Sequence, residues 1–144
     1  MTSSNPFGTT ITSDDILEGL SFFDSWEDRY RYIIELGHEL PPLEAELRTD
    51  NRLVRGCQSQ VWMDVGEKEG RVQLAVDSDA FIVKGLLAVV LAAYNDKTPA
   101  DIKTFDVDAY FEELGLLKHL SPTRGNGLRA MVARIQEFAN AATG

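Results

Sequence analysis

The one thiol in this chain of 144 residues is Cys57, and its flanks suit a reactive group better than core filler. Gly56 lets the backbone turn, Gln58, Ser59 and Gln60 suit a loop, and Val61-Trp62 begins a strand. Arg48, Arg52 and Arg55 precede the thiol, with Asp50 the only acid among them. Nearby cations lower a thiol pKa and raise the thiolate fraction, which is the nucleophile. Free cysteines are more often small buried hydrophobes, so the case rests on these polar and cationic neighbours. The spacing does not say which reaction the thiol performs. His38 and His119 are the candidate bases of a Cys–His enzyme, but neither stands in a protease-like pattern. With one cysteine they also offer no metal-ligand spacing.

A second stretch with chemical potential runs over residues 116–127 and contains His119, Ser121, Pro122, Arg124, Gly125, Asn126 and Gly127. It leads into a helix, and backbone amides at a helix start together with Arg124 suit an anion. Arg124 could equally cap or pair locally, and spacing alone leaves both readings standing. Gly125-Asn126-Gly127 lacks the length and the Gly-Lys-Ser/Thr of a phosphate loop. The acid pairs Asp14/Asp15, Glu112/Glu113 and Asp77/Asp79 fit helix caps or solvated faces.

The elements that must position these groups follow from periodicity. Residues 1–10 read as a loose, flexible arm and 11–144 as a single domain. Thr12 with Asp15 is a capping-box variant ahead of Ile16, Leu17 and Leu20. Asp24 is placed to cap a second helix carrying Trp26, Tyr30, Ile33 and Ile34 on one face, with Gly37 near its stop. Leu40-Pro41-Pro42-Leu43 is an extended break, and a short turn fits 44–47. Alternation over 61–65 and 72–76 predicts a β-hairpin with a longer loop over Glu67 to Gly70 rather than a two-residue turn. Leu53-Val54 is a candidate third strand, which would put Cys57 between two strands at a sheet edge. Asp77-Ser78-Asp79 reads as the start of a helix over 80–94 that is apolar nearly all round and therefore central. Gly85 inside it implies a close neighbour, since glycine costs about 1 kcal/mol against alanine there. Thr98-Pro99 starts another helix, one over 108–114 stops at Gly115, and a last helix presents Leu128, Met131, Val132, Ile135, Phe138 and Ala139.

Composition sets the class. A domain of this size buries roughly 70% of its unfolded-chain surface, and 44% hydrophobic with 26% charged residues is ordinary for a soluble fold. The net charge of −9 argues against nucleic acid and anionic membranes as partners. A single cysteine fits a reducing compartment, and neither a signal peptide nor a membrane-spanning run is legible. Cytoplasm and a monomeric state are the resulting expectations.

Several ordered motifs resemble one family, the SufE-type sulfur acceptors with their CsdE branch. They are Trp26-Glu27-Asp28-Arg29-Tyr30, Leu36-Gly37 with Leu40-Pro41, and Gly56-Cys57-Gln58-Ser59-Gln60-Val61-Trp62. Further along stand Asp77-Ser78-Asp79-Ala80, Ile82-Val83-Lys84-Gly85-Leu86, and His119-Leu120-Ser121-Pro122-Thr123-Arg124 followed by Gly127-Leu128. Val76 stands where the family usually has glycine, and Thr123 replaces a common serine. The segment 5–10 looks like the CsdE branch, whereas 56–62 reads as SufE.

The resemblance implies an α+β domain with helices packed on a small, about three-stranded antiparallel sheet, similar to IscU-type scaffold proteins. It implies that Cys57 takes persulfide sulfur from a pyridoxal-phosphate cysteine desulfurase of the SufS or CsdA type, stimulates that enzyme, and relays sulfur to an iron–sulfur scaffold. The chain would then be a carrier and no enzyme in its own right, with no cofactor or metal of its own, the pyridoxal phosphate belonging to the partner. Arg124 and His119 would support the thiolate or persulfide, while Gly56, Gln58, Ser59 and Asp79 would position the cysteine loop. The competing reading is a stand-alone thiol hydrolase or sulfurtransferase using Cys57.

Overall fold

The computed structural model describes residues 6–41, 43–54 and 60–143. Helix α1 (Ser13–Ser21) begins on the expected capping box: Thr12 Oγ1 accepts from the Asp15 amide, and the Asp15 carboxylate accepts from the Thr12 amide at 2.9 Å. Helix α2 (Trp26–His38) is capped by Ser25 rather than Asp24, with Ser25 Oγ accepting from the Asp28 amide at 3.2 Å. The helix ends at His38, one residue past Gly37 and so near the expected stop, and Gly37 also serves close packing. A Cβ on Gly37 would lie 2.6 Å from the Gly85 amide nitrogen, and one on Gly85 would strike the Ile33 carbonyl oxygen. The two glycines thus let α2 and α3 (Phe81–Tyr94) meet backbone to backbone.

Strands β1 (Val61–Lys68) and β2 (Arg71–Ser78) pair antiparallel from Val61 opposite Ser78 to Lys68 opposite Arg71. The turn between them is shorter than expected. Glu69 and Gly70, with φ of 55° and 79°, close a two-residue turn, and two positive φ values match the right-handed twist of the strands. The polar residues Glu67 and Lys68 continue the ladder beyond the core instead of forming a loop. The expected third strand is reduced to one bridge, Leu53 opposite Trp62, because a tight turn over Asp50–Arg52 directly precedes it. Among the described residues the sheet is two-stranded.

Helix α3 is the middle of the core: from Gly85 to Tyr94 every residue is buried, and α2, β2, α1 and α7 (Pro122–Thr143) pack around it. Between α3 and α7 come α4 (Pro99–Thr104), α5 (Val107–Leu114) and α6 (Leu116–His119). The stretch 116–127 is therefore mostly helical, since α7 already begins at Pro122. The acids before α3 do not cap it either: its first flanking residue is Ala80, without a side-chain cap.

The N-terminal segment corrects the expectation of a loose arm through residue 10. Phe7 is fully buried in the core. Its carbonyl accepts from Asn95 Nδ2 at 3.0 Å, and the Gly8 carbonyl accepts from Lys97 Nζ at 2.7 Å. Phe7 supplies an apolar anchor that outweighs its proline- and glycine-containing surroundings.

Candidate functional site

Cys57 and its neighbours Arg55, Gly56, Gln58 and Ser59 lie outside the described residues. What the structure supplies is the frame from which that segment departs and to which it returns. On the departing side the Val54 amide donates to the Val61 carbonyl at 2.8 Å, and Leu53 bridges Trp62. Arg134 reaches over from α7: Nη1 donates to the Leu53 carbonyl and Nη2 to the Asn51 carbonyl, both at 2.8 Å.

On the returning side Gln60 and Asp79 bond reciprocally. The Gln60 amide donates to Asp79 Oδ1 at 3.1 Å, and the Asp79 amide donates to the Gln60 carbonyl at 3.3 Å. Ser78 Oγ donates to the same carbonyl at 2.7 Å. Asp79, singled out in the sequence, is thus bonded through both its carboxylate and its amide to Gln60, the first described residue after the cysteine segment.

Asp77 holds the surrounding frame together. Its side chain is 2% exposed and accepts from the Leu43 amide at 3.1 Å, the Ser78 amide at 2.8 Å and Arg48 Nη2 at 2.6 Å, with Lys84 Nζ at 3.4 Å. Burial alone would raise its pKa. The hydrogen bonds from Ser78 and Leu43 and the charges of Lys84 and Arg48 outweigh that and hold it below the usual carboxylate value. One carboxylate thus ties the segment before the cysteine to the end of β2 and the first turn of α3.

This arrangement changes the electrostatic argument drawn from the sequence. Arg48 is committed to Asp77 and lies 5.7 Å over the Trp62 ring. Arg52 is committed to Asp64 at 2.8 Å and Thr49 at 3.0 Å. Two of the three arginines that made the segment look cationic are therefore neutralised by carboxylates distant in sequence.

His119 and Arg124 are held by α2. The His119 ring stacks on Trp26 with centroids 4.3 Å apart, Trp26 meets Tyr30 edge-on, and Arg124 Nη1 donates to the Tyr30 hydroxyl at 3.5 Å. The amides at the start of α7 are partly committed: the Arg124 amide donates to Ser121 Oγ and the Gly125 amide to the Ser121 carbonyl. The described contact of the Arg124 guanidinium is thus with Tyr30 of α2, far away in sequence, rather than with a local partner.

The sequence reasoning missed Arg134, Ser78 and the hub role of Asp77. Arg134 carried a weak signal: it adjoins the buried Ile135 and sits three residues past Met131, at the edge of the apolar face of α7. Nothing in the sequence pairs it with Asn51 or Leu53. Among the described residues no cluster of three or more His, Cys, Asp or Glu could hold a metal, and no helix is long and apolar enough to cross a membrane.

The SufE domain, described as an Fe-S metabolism associated domain, matches residues 14–139. An uncharacterized SufE-like protein of Rhizobium etli is 48% identical over 130 residues, covering 88% of each chain. The solution structure of a hypothetical protein from Thermus thermophilus superposes with a TM-score of 0.74 over 98% of both chains, at 20% identity, and so shares the fold. The chain belongs to the SufE family, whose domain is associated with iron–sulfur metabolism and sulfur transfer.

Proposed function

We propose that this chain is a sulfur acceptor whose Cys57 thiolate takes the outer sulfur of a persulfide carried by a cysteine desulfurase. The observation that carries the proposal is the SufE match over residues 14–139, which spans the chain's single cysteine. In the transfer, Cys57 Sγ attacks the outer sulfur of the partner's persulfide. A new S–S bond forms to Cys57, the partner's S–S bond breaks, and its inner sulfur leaves as thiolate. No external oxidant or reductant is required, because one persulfide replaces another. Rate then depends on thiolate fraction and on access.

This chemistry needs no substrate pocket, since the substrate arrives on another protein. The pyridoxal phosphate that releases sulfur from cysteine belongs to that partner, and the loaded Cys57 hands its sulfur to an iron–sulfur scaffold. Draining the partner's persulfide is what stimulates its turnover. Gly56, Gln58 and Ser59 form the segment that presents the thiol, and Asp79 holds its returning end. Arg124, steadied by Tyr30, contributes positive charge to the thiolate or persulfide, and His119 fixes that corner through its stack on Trp26. A reducing, cytoplasmic setting suits a carrier with one free thiol.

The test is desulfurase turnover followed as alanine release from L-cysteine. The chain should raise it, while Cys57→Ser should leave it at the unassisted rate. Equal stimulation by both proteins would refute the covalent relay. Arg124→Met should move the pH profile of Cys57 alkylation to higher pH, and an unmoved profile would remove Arg124 from the site.

A further inference from the structure

We infer that the outer edge of β1, from Val65 to Lys68, is a docking site for an extended segment of a partner protein that carries a basic residue two positions before an apolar one. The inference stands apart from the acceptor role of Cys57. In an antiparallel pair the backbone groups of successive residues alternate between the partner strand and the outer edge. On β2 the Val72 amide donates to the Lys97 carbonyl and the Leu74 amide to Asn95 Oδ1, so both residues face away from β1. Their register partners, Glu67 and Val65, therefore face away from β2. The Val61 carbonyl, in the same phase, already accepts from the Val54 amide.

The bridge of Leu53 to Trp62 covers this edge only at its start. Beyond it, no group among the described residues meets the amides and carbonyls of Val65 and Glu67. An uncovered edge is a template for strand addition, and these groups complement one short antiparallel strand. Beside the edge lies a cleft of about 480 Å³, lined by Arg52, Met63, Val65, Arg134, Glu137 and Phe138. Val65 and Phe138 are half-buried and give it apolar surface. Its cations are committed, Arg52 to Asp64 and Arg134 to the Asn51 and Leu53 carbonyls. The exposed carboxylates of Glu67 and Glu137 have no ion-pair partner among the described residues.

Across an added antiparallel strand, the residue opposite Val65 meets an apolar neighbour and the residue opposite Glu67 an acidic one. Like charges directly opposite are destabilising and unlike charges favourable, which selects lysine or arginine at the second position. Opposed strand directions put that basic residue two places before the apolar one. Lys68 falls on the other face by strand alternation, and Arg71 donates to the Asp96 carbonyl. The net charge of −9 disfavours a second copy of this chain as the occupant.

The test titrates the full-length chain with the peptide acetyl-Thr-Lys-Thr-Val-Thr-amide, followed by amide NMR shifts and hydrogen exchange. Saturating peptide should slow exchange at Val65 and Glu67 about tenfold. N-methylating the peptide's lysine and valine, or replacing its lysine by glutamate, should weaken binding about tenfold. N-methylating the central threonine, whose N–H faces away, should leave affinity within about threefold. Glu67→Pro removes an outward N–H that the ladder with β2 does not use, a position where proline is tolerated, and should weaken binding about fivefold. Glu67→Gln keeps the backbone and should reduce the preference for lysine over glutamate.

Unmoved Val65 and Glu67 amides at millimolar peptide would overturn the inference, as would equal binding after N-methylation of the lysine and valine. If the proline variant does not fold, those N-methylated peptides decide. Equal binding of the glutamate peptide would refute the basic partner. A dimer of the free chain in sedimentation, with Val65 and Glu67 protected, would make a second copy the occupant and refute the partner proposed.

Discussion

Replacing Asp77 by asparagine tests the frame most severely, because the change is nearly isosteric and removes only charge and acceptor capacity. The Asp77 carboxylate is 2% exposed and is met by two backbone amides, Arg48 and Lys84. Hydrogen bonds to a charged group contribute about 1.5–3 kcal/mol each, and removing one partner of a buried pair costs about 3–5 kcal/mol. Two features reduce that figure. Arg48 and Lys84 are 40% and 31% exposed and regain water, and the asparagine oxygen still accepts from Leu43 or Ser78.

The expected loss is about 2–3 kcal/mol at neutral pH, or roughly 5–10 °C in Tm for a chain of this size. Urea unfolding followed by fluorescence would measure it. The pH dependence has a definite sign. The folded-state pKa is depressed below the ordinary 3.8, so the carboxylate's contribution is complete above that value and is lost as pH falls through the lower folded one. The gap between parent and Asp77→Asn should be constant from neutral pH down to about 5 and narrow below about 4. A variant within about 0.5 kcal/mol of the parent at pH 7 would match an ordinary surface change and refute the hub.

Three further outcomes are expected. Gly85→Ala should lose about 1–2 kcal/mol despite alanine's better helix propensity, because its Cβ meets the Ile33 carbonyl; an unchanged Tm would show that α2 yields freely. Thr12→Ala should cost about 1 kcal/mol through loss of the capping box, without altering desulfurase stimulation. At alkaline pH, burial pushes the Tyr94 pKa up to about 12 and raises that of Tyr110 as well, Tyr110 donating its hydroxyl proton to the Val89 carbonyl. Stability from these groups is present below pH 10 and declines as pH rises toward their folded values. Phenolate absorbance should therefore show tyrosines that ionise only near unfolding.

The helices were legible because they rest on local rules. The Thr12 capping box, Thr98-Pro99 and the apolar run around Leu87 each read correctly from neighbouring residues. Gly85 was legible as a close approach, though not as half of a pair with Gly37. The errors arise where a distant partner decides. Asp77 and Asp79 look like helix caps until Leu43 and Arg48, from the far side of the cysteine segment, meet the first and Gln60, at its returning end, meets the second. Arg48 and Arg52 look like a cationic patch until Asp77 and Asp64 meet them. Phe7 looks like part of a loose arm until Asn95 takes its carbonyl and Lys97 that of Gly8. In the site, one residue could be named from sequence chemistry, Cys57, while the frame that holds it is built from contacts between residues far apart in the chain.

The most direct measurement is the intact mass of the chain after incubation with a cognate cysteine desulfurase and L-cysteine under non-reducing conditions. A gain of one sulfur atom is expected, removable by a thiol reductant and absent in Cys57→Ser. No gain in the parental chain, or an equal gain in Cys57→Ser, would contradict the acceptor role.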